Sequence, residues 1–232
     1  MVRSSRFVPK QAHQTPGWTL RLFLASLVAL ALVFAGQAVE GKEAAGRAAS
    51  DDPRALIEGT TASLLAAFKR EQTAIRNDPT HAYAIVDELL SPHIDYDRVA
   101  RLILGKYWRQ TSSEQRQRFM NEFRELQVRT YATAVLDYAD IEVRYLPTRQ
   151  PENADRAIVR TQIPRRNGIP VSVDYRLHRA DGRWQVYDVL VEGVSLLTNY
   201  RASVGAQIAQ IGIEGVIERI GAQNRGAVPP GQ

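Results

Sequence analysis

The stretch "PVSVDYRLHRADGRWQVYDVLVEGVSLLTNYR", Pro170 to Arg201, limits the fold more than any other part of the chain. Val171, Val173, Tyr175 and Leu177 alternate with Ser172, Asp174, Arg176 and His178. That is the period of a strand with one apolar and one polar face, and it points His178 at solvent. Asp181-Gly182 is a hairpin-turn pair, and "RWQVYDVLV" resumes the alternation beyond it. After Gly193 the pattern turns helical as far as about Ile220, with Gly212 and Gly215 as weak points. A hairpin that feeds directly into a long helix calls for an antiparallel sheet with helices packed on it.

The residues before it supply the helices. Asp52 is placed to cap and Pro53 to begin a helix that carries Leu56, Leu64, Leu65, Phe68 and Ile75. "NDPTHAYAIVDELLSP" repeats the device, with Asp78 as cap, Pro79 in the first turn and Pro92 past the end. A short helix over 95–104 stops at Gly105. Thr111 and Glu114 have capping-box spacing and open a helix to about Tyr138, with Phe119, Phe123, Leu126, Tyr131, Val135 and Tyr138 as its apolar stripe. "IEVRYL" (Ile141 to Leu146) and "RAIVRTQI" then alternate, so the sheet reads as a four-stranded antiparallel meander in a single α+β domain. Hydrophobic residues at 44% and charged residues at 24% of 232 allow one sizeable core.

The formal net charge of +5 does not belong to that domain. Arg3, Arg6, Lys10 and Arg21 precede the apolar run "LFLASLVALALVFA" and the small residues around Ala38, the pattern of a secretory signal peptide over 1–38. The run is short for a bilayer span of about 20 residues. Cleavage would remove those four of the 30 Lys+Arg and leave 26 against 25 Asp+Glu, with no basic cluster for nucleic acid. The expected organisation is a signal peptide (1–38), a flexible segment (39–52), one domain (53–221) and a disordered tail (222–232). With no cysteine, an exported chain relies on its core rather than on disulfides, and the leader offers no thiol for lipid attachment.

Residues that carry chemistry are sparse. Gly193-Val194-Ser195 resembles the start of a nucleophile elbow, but the second glycine is missing and no His or Asp follows Ser195. Ser195 reads better as a helix cap. Outside the leader the histidines are His81, His93 and His178, without metal-ligand spacing. Asp188, polar among apolar neighbours, is either a proton-accepting carboxylate of the kind found in small α+β isomerases or an acid held by an Arg or by backbone donors.

Several stretches resemble one family. Leu104, Gly105 and Trp108 precede a helix with Gln115, Phe119 and Phe123; Val159-Arg160-Thr161 lies in a strand. Trp184, Val186, Tyr187, Asp188, Val189, Glu192, Gly193, Val194, Ser195, Leu196, Asn199, Tyr200 and Arg201 form a long final block. Together they resemble the MlaC or toluene-tolerance Ttg2 auxiliary family over about 53–220. In place of that family's Phe-containing continuation the chain has the smaller "ASVGAQIAQIGIEG". The resemblance implies a sheet like that of the nuclear-transport-factor-2 class, with helices around an apolar pocket. It implies a periplasmic phospholipid carrier, needing no cofactor and no catalysis. Its partners would be a phospholipid and, transiently, an outer-membrane lipoprotein complex and an inner-membrane ABC transporter, with the carrier a monomer.

Such a carrier has a clear physical purpose. At about 0.8 kcal/mol per methylene, wetting about 30 methylenes of two acyl chains costs roughly 25 kcal/mol. On the resemblance, Leu104, Trp108, Phe119, Phe123, Tyr131, Val135, Val173, Tyr175, Trp184, Val186, Leu190 and Leu197 become candidate lipid contacts, and Arg201 a candidate for the phosphate. Read without it, the same stripe is plain core, and Arg201 is a partner for Glu192 or another acid. An envelope hydrolase or isomerase, or an adaptor with a filled core, are the rival readings.

Overall fold

In the computed structural model the described residues are 52–136, 142–147, 154–165 and 168–226, with the side chains of 133–136 outside them. The expected leader, nearly all of the flexible segment, Tyr138, Ile141 and the end of the tail lie outside the described residues.

Helix α1 (Pro53–Arg70) begins as its sequence requires, with Asp52 accepting the Arg54 N–H at 2.9 Å. It stops at Glu71, and α2 (Gln72–Asn77) is a separate short turn of helix that carries Ile75. The next helix starts later than the Asp-Pro pair suggested. Asp78 spends its carboxylate on the Thr80 N–H and hydroxyl, at 2.9 and 2.7 Å, and that turn delays α3 to His81–Leu90. Pro92 sits in the 3-10 turn Ser91–His93. Asp95 then caps α4 (Tyr96–Leu104), which Gly105 ends at a φ of 51°.

A second 3-10 turn, Gly105–Gln110, displaces the next capping box by one residue. The Thr111 hydroxyl is already committed to the Tyr107 carbonyl at 2.8 Å. Ser112 and Gln115 therefore exchange the two capping bonds, both at 3.1 Å, in place of Thr111 and Glu114. Helix α5 runs over Ser113–Leu136.

The sheet is antiparallel with order β1-β2-β3-β4-β5: β1 Arg144–Tyr145, β2 Arg156–Ile163, β3 Val171–Ala180, β4 Arg183–Val191 and β5 Val194–Ser195. Asp181 and Gly182, with φ of 49° and 75°, turn β3 into β4 as the dipeptide predicts. The first strand is shorter than its alternation suggested, and there is a fifth strand the pattern did not show. Glu192 and Gly193 (φ 51° and 78°) fold Val194–Ser195 back onto Leu190–Val191, so the helix waits until Leu196.

A bulge decides which β4 residues face the interior. Arg176 pairs with Asp188, but Leu177 pairs with Val186, leaving Tyr187 as the extra residue. Val186, Val189 and Val191 thus share the face of Leu177, Tyr175 and Val173. Leu190 pairs with Asp174 on the opposite face. On the interior face Trp184, Leu177 and Val159 pack with Ile57 of α1, and Val173 with Val171 and Ile163.

His178 is not in solvent. Its Nε2 lies 2.6 Å from Asp95 Oδ2, its side chain is 12% exposed, and its ring meets Tyr187 edge-on. The loop before α4 crosses beside β4, where the Asp95 N–H donates to the Val186 carbonyl, and so brings Asp95 within reach.

Helix α6 (Leu196–Asn224) packs on α4 and α5. It extends past the expected domain end at 221, because the Asn224 amide anchors to the Glu122 carbonyl and carboxylate. Gly212 breaks it with φ 71° and ψ 171°, so one of the two weak points is a true kink, while Gly215 remains helical.

Candidate functional site

A cavity of about 110 Å³ lies where α3, α4, α5, β4 and the start of α6 converge. The spacing of four residues along α5 presents Phe123, Gln127 and Tyr131 on one stripe toward it. Leu197 and Tyr200 from α6 and Val186 and Val189 from β4 face that stripe; Val99 and Ile103 of α4 close another side. Tyr200 meets Phe123 edge-to-face at 5.0 Å, and Phe119 stacks on Phe123 from the far side at 5.8 Å.

Of the residues expected to touch a ligand, the structure brings Phe123, Tyr131, Val186 and Leu197 to this cavity. Leu104 and Phe119 lie one layer behind, fully buried. Val173, Tyr175 and Trp184 are not in its lining and pack in clusters of the sheet, Val173 with Val171 and Ile163 and Trp184 with Ile57 of α1. Trp108 carries the guanidinium groups of Arg101 and Arg116 over its ring, at 5.1 and 4.4 Å. Leu190 faces the other side of the sheet, and the Val135 side chain lies outside the described residues. Arg201 does not pair with Glu192, which instead accepts the Ser172 N–H; it rests on Gly105. Val194, in the final block of the resemblance, is exposed. Two contributions were not expected: Val189, which needs the bulge to face inward, and the α3–α4 residues, whose short helices show no conspicuous aromatic stripe.

The lining is apolar except at a few points. Asp188 is buried and fully engaged: it accepts from Arg176 at 3.1 Å, from the Ser195 hydroxyl at 2.8 Å and from the Leu197 N–H at 3.1 Å. Ser195 in turn accepts the Thr198 N–H at 3.0 Å as the cap of α6. These bonds hold the strand-to-helix corner, and Asp188 is the acid held by an Arg and a backbone donor. Tyr131 has its phenol pushed well above the ordinary range, by burial first and then by the neighbouring Tyr200 and Tyr96 hydroxyls. Tyr96 is raised too, chiefly by burial. From Tyr96 a polar chain leads outward through Ser91 (3.4 Å) to Asp87 (2.6 Å), which grips Arg124 through two bonds of 2.7 Å.

An antiparallel sheet with helices enclosing an apolar cavity defines an α+β ligand-pocket architecture. The MlaC protein family matches residues 58–222, and the chain belongs to that family. It is 29% identical over 149 residues to toluene tolerance protein ttg2D of Pseudomonas putida, covering 64% of this chain and 69% of that protein. It is 28% identical over 152 residues to the intermembrane phospholipid transport system binding protein MlaC of Haemophilus influenzae, covering 64% and 71%. Among solved structures it resembles the phospholipid-binding protein of Ralstonia solanacearum in complex with a phospholipid. The TM-score is 0.69 at 27% identity, over 75% of this chain and 98% of that one.

Proposed function

We propose that this protein is a periplasmic phospholipid carrier, exported by its cleaved leader. It takes lipid between an outer-membrane lipoprotein complex and an inner-membrane ABC transporter, docking on each briefly as a monomer. The observation that carries this reading is the apolar cavity between α5, α6 and β4 in a chain of the MlaC family, whose solved neighbour holds a phospholipid. The aliphatic and aromatic lining suits acyl chains, whose burial is favourable by about 0.8 kcal/mol per methylene.

The cavity is smaller than the roughly 150 Å³ that accepts one benzene, so a full acyl chain enters only as the walls separate. Two of those walls, α5 and α6, meet through Tyr200 on Phe123, a contact an inserted chain can replace. Transfer at either membrane then depends on a partner that favours the separated or the closed form.

The test is lipid analysis by native mass spectrometry of protein purified without detergent. Diacyl phospholipid at one lipid per protein is the expected result, and folded protein that neither carries nor takes up lipid overturns the reading. Leu197→Trp, which fills the cavity from α6, should abolish uptake in a protein that still unfolds cooperatively.

A further inference from the structure

One polar group in the cavity wall has no structural use. Gln127 occupies the middle of the α5 stripe, between Phe123 and Tyr131, and faces the cavity. Its amide nitrogen is buried with no acceptor in reach among the described residues. Buried amides are rarely left so, because each such group has given up water without replacement. The other polar groups nearby are accounted for: Asp188 by three donors, Ser91 by Asp87. A leucine or methionine at 127 would complete the stripe without this cost. The unused donor therefore marks the place of an acceptor that arrives with a ligand.

The surroundings choose the acceptor. No Lys or Arg lines the cavity among the described residues, and the Asp188 carboxylate does. A phosphate there would be an uncompensated buried charge beside another of the same sign. A neutral carbonyl oxygen fits: it has two lone pairs, and Tyr131, whose hydroxyl is hydrogen-bonded to Tyr200, lies one helical turn from Gln127 on the same stripe. We propose that Gln127, with Tyr131 beside it, is the subsite for the ester carbonyl of a bound acyl lipid. It fixes how deeply the chain is inserted and selects ester-linked over ether-linked chains. The inference rests on the carrier reading above and assigns the register of the lipid within that site.

An ester and an ether phospholipid separate the two claims. Dipalmitoyl phosphatidylcholine and dihexadecyl phosphatidylcholine share headgroup and chain length but differ in the carbonyl. Their displacement of a fluorescent-tailed phospholipid is measured with the mature chain. The wild type should favour the ester about tenfold, the worth of one buried hydrogen bond. Gln127→Leu should lose that preference through weaker ester binding only, with ether binding unchanged and the melting temperature of the lipid-free protein not lowered. Gln127→Met, unbranched and of similar length, serves if the leucine variant fails to fold. Equal affinity of the wild type for both lipids, or a preference that survives substitution of Gln127, overturns the subsite while leaving the carrier intact. Failure to bind either lipid overturns the carrier reading and the subsite with it.

Discussion

The Arg201 guanidinium lies against Gly105 so closely that a Cβ there would stand 3.1 Å from Nε and 3.2 Å from Nη2. Gly105 also holds a φ of 51°, which a side chain resists. The two residues join the end of α4 to the second turn of α6. Gly105→Ala should cost about 2 kcal/mol, combining backbone strain with this contact. Arg201→Ala in the same chain should recover the contact part but not the backbone part. Chemical denaturation of the four species in a double-mutant cycle measures the division, and strict additivity would contradict the contact.

Asp188 should be required for stability rather than turnover. Its side chain is wholly buried, while that of Arg176 is 39% exposed and can regain water. Asp188→Ala leaves the Ser195 hydroxyl and the Leu197 N–H without their acceptor, at about 3 kcal/mol. For a chain of this size that lowers the melting temperature by roughly 6–12 °C, and Asp188→Asn should cost less because it keeps an acceptor. Lipid bound per folded molecule should change little in either variant.

Acid should act through Asp87. The bonds from Arg124 hold its carboxyl below the ordinary aspartate range. A lowered folded-state value gives stability that is present above the unfolded value, about 3.9, and lost as pH falls through the folded one. The pair is partly exposed, so its worth is below about 1 kcal/mol. The difference in melting temperature between wild type and Asp87→Asn should be largest near pH 7 and close as the pH drops below 4. A constant difference across that range would exclude the linkage.

Alkali acts in the opposite direction. Burial pushes the Tyr145 phenol up to about 12 and holds Tyr131, Tyr175 and Tyr96 above the ordinary value. Folded-state values raised in this way add stability that is complete below pH 10 and lost as pH rises toward 12. Ultraviolet titration should show these four phenols ionising only above pH 10, as the protein unfolds. A single transition near pH 10 in folded protein would contradict the burial.

The elements were legible where sequence and local chemistry agreed. Val171 to Leu177, Asp181-Gly182, Asp52-Pro53 and Asp95 through Gly105 each specify their structure within a few residues, and the structure follows them. The cavity was less legible because one of its walls, β4, depends on a displacement of one residue. The bulge at Tyr187 reverses the alternation, so Val189 faces inward and Leu190 outward, against the simple period of two. His178 was misplaced for another reason: its partner, Asp95, lies 83 positions away. No pattern within a strand reveals a bond formed by a distant loop. Gln127 carries no signal in sequence, since a glutamine on a polar-rich helix reads as surface. Only its buried nitrogen separates it from its neighbours.

The kink at Gly212 makes the two segments of α6 answer to two different neighbourhoods. The part after it is tied to α5 by Glu214 with Arg118 and Gln115, and by Asn224 with Glu122. The part before it carries Leu197 and Tyr200 at the cavity wall. Since the backbone leaves helical geometry at Gly212 between them, opening in one part need not spread to the other. In deuterium-exchange experiments the amides of 196–211 should slow when lipid is added, while those of 213–224 keep their rate. The last helix would then record loading in its first half and hold the scaffold with its second.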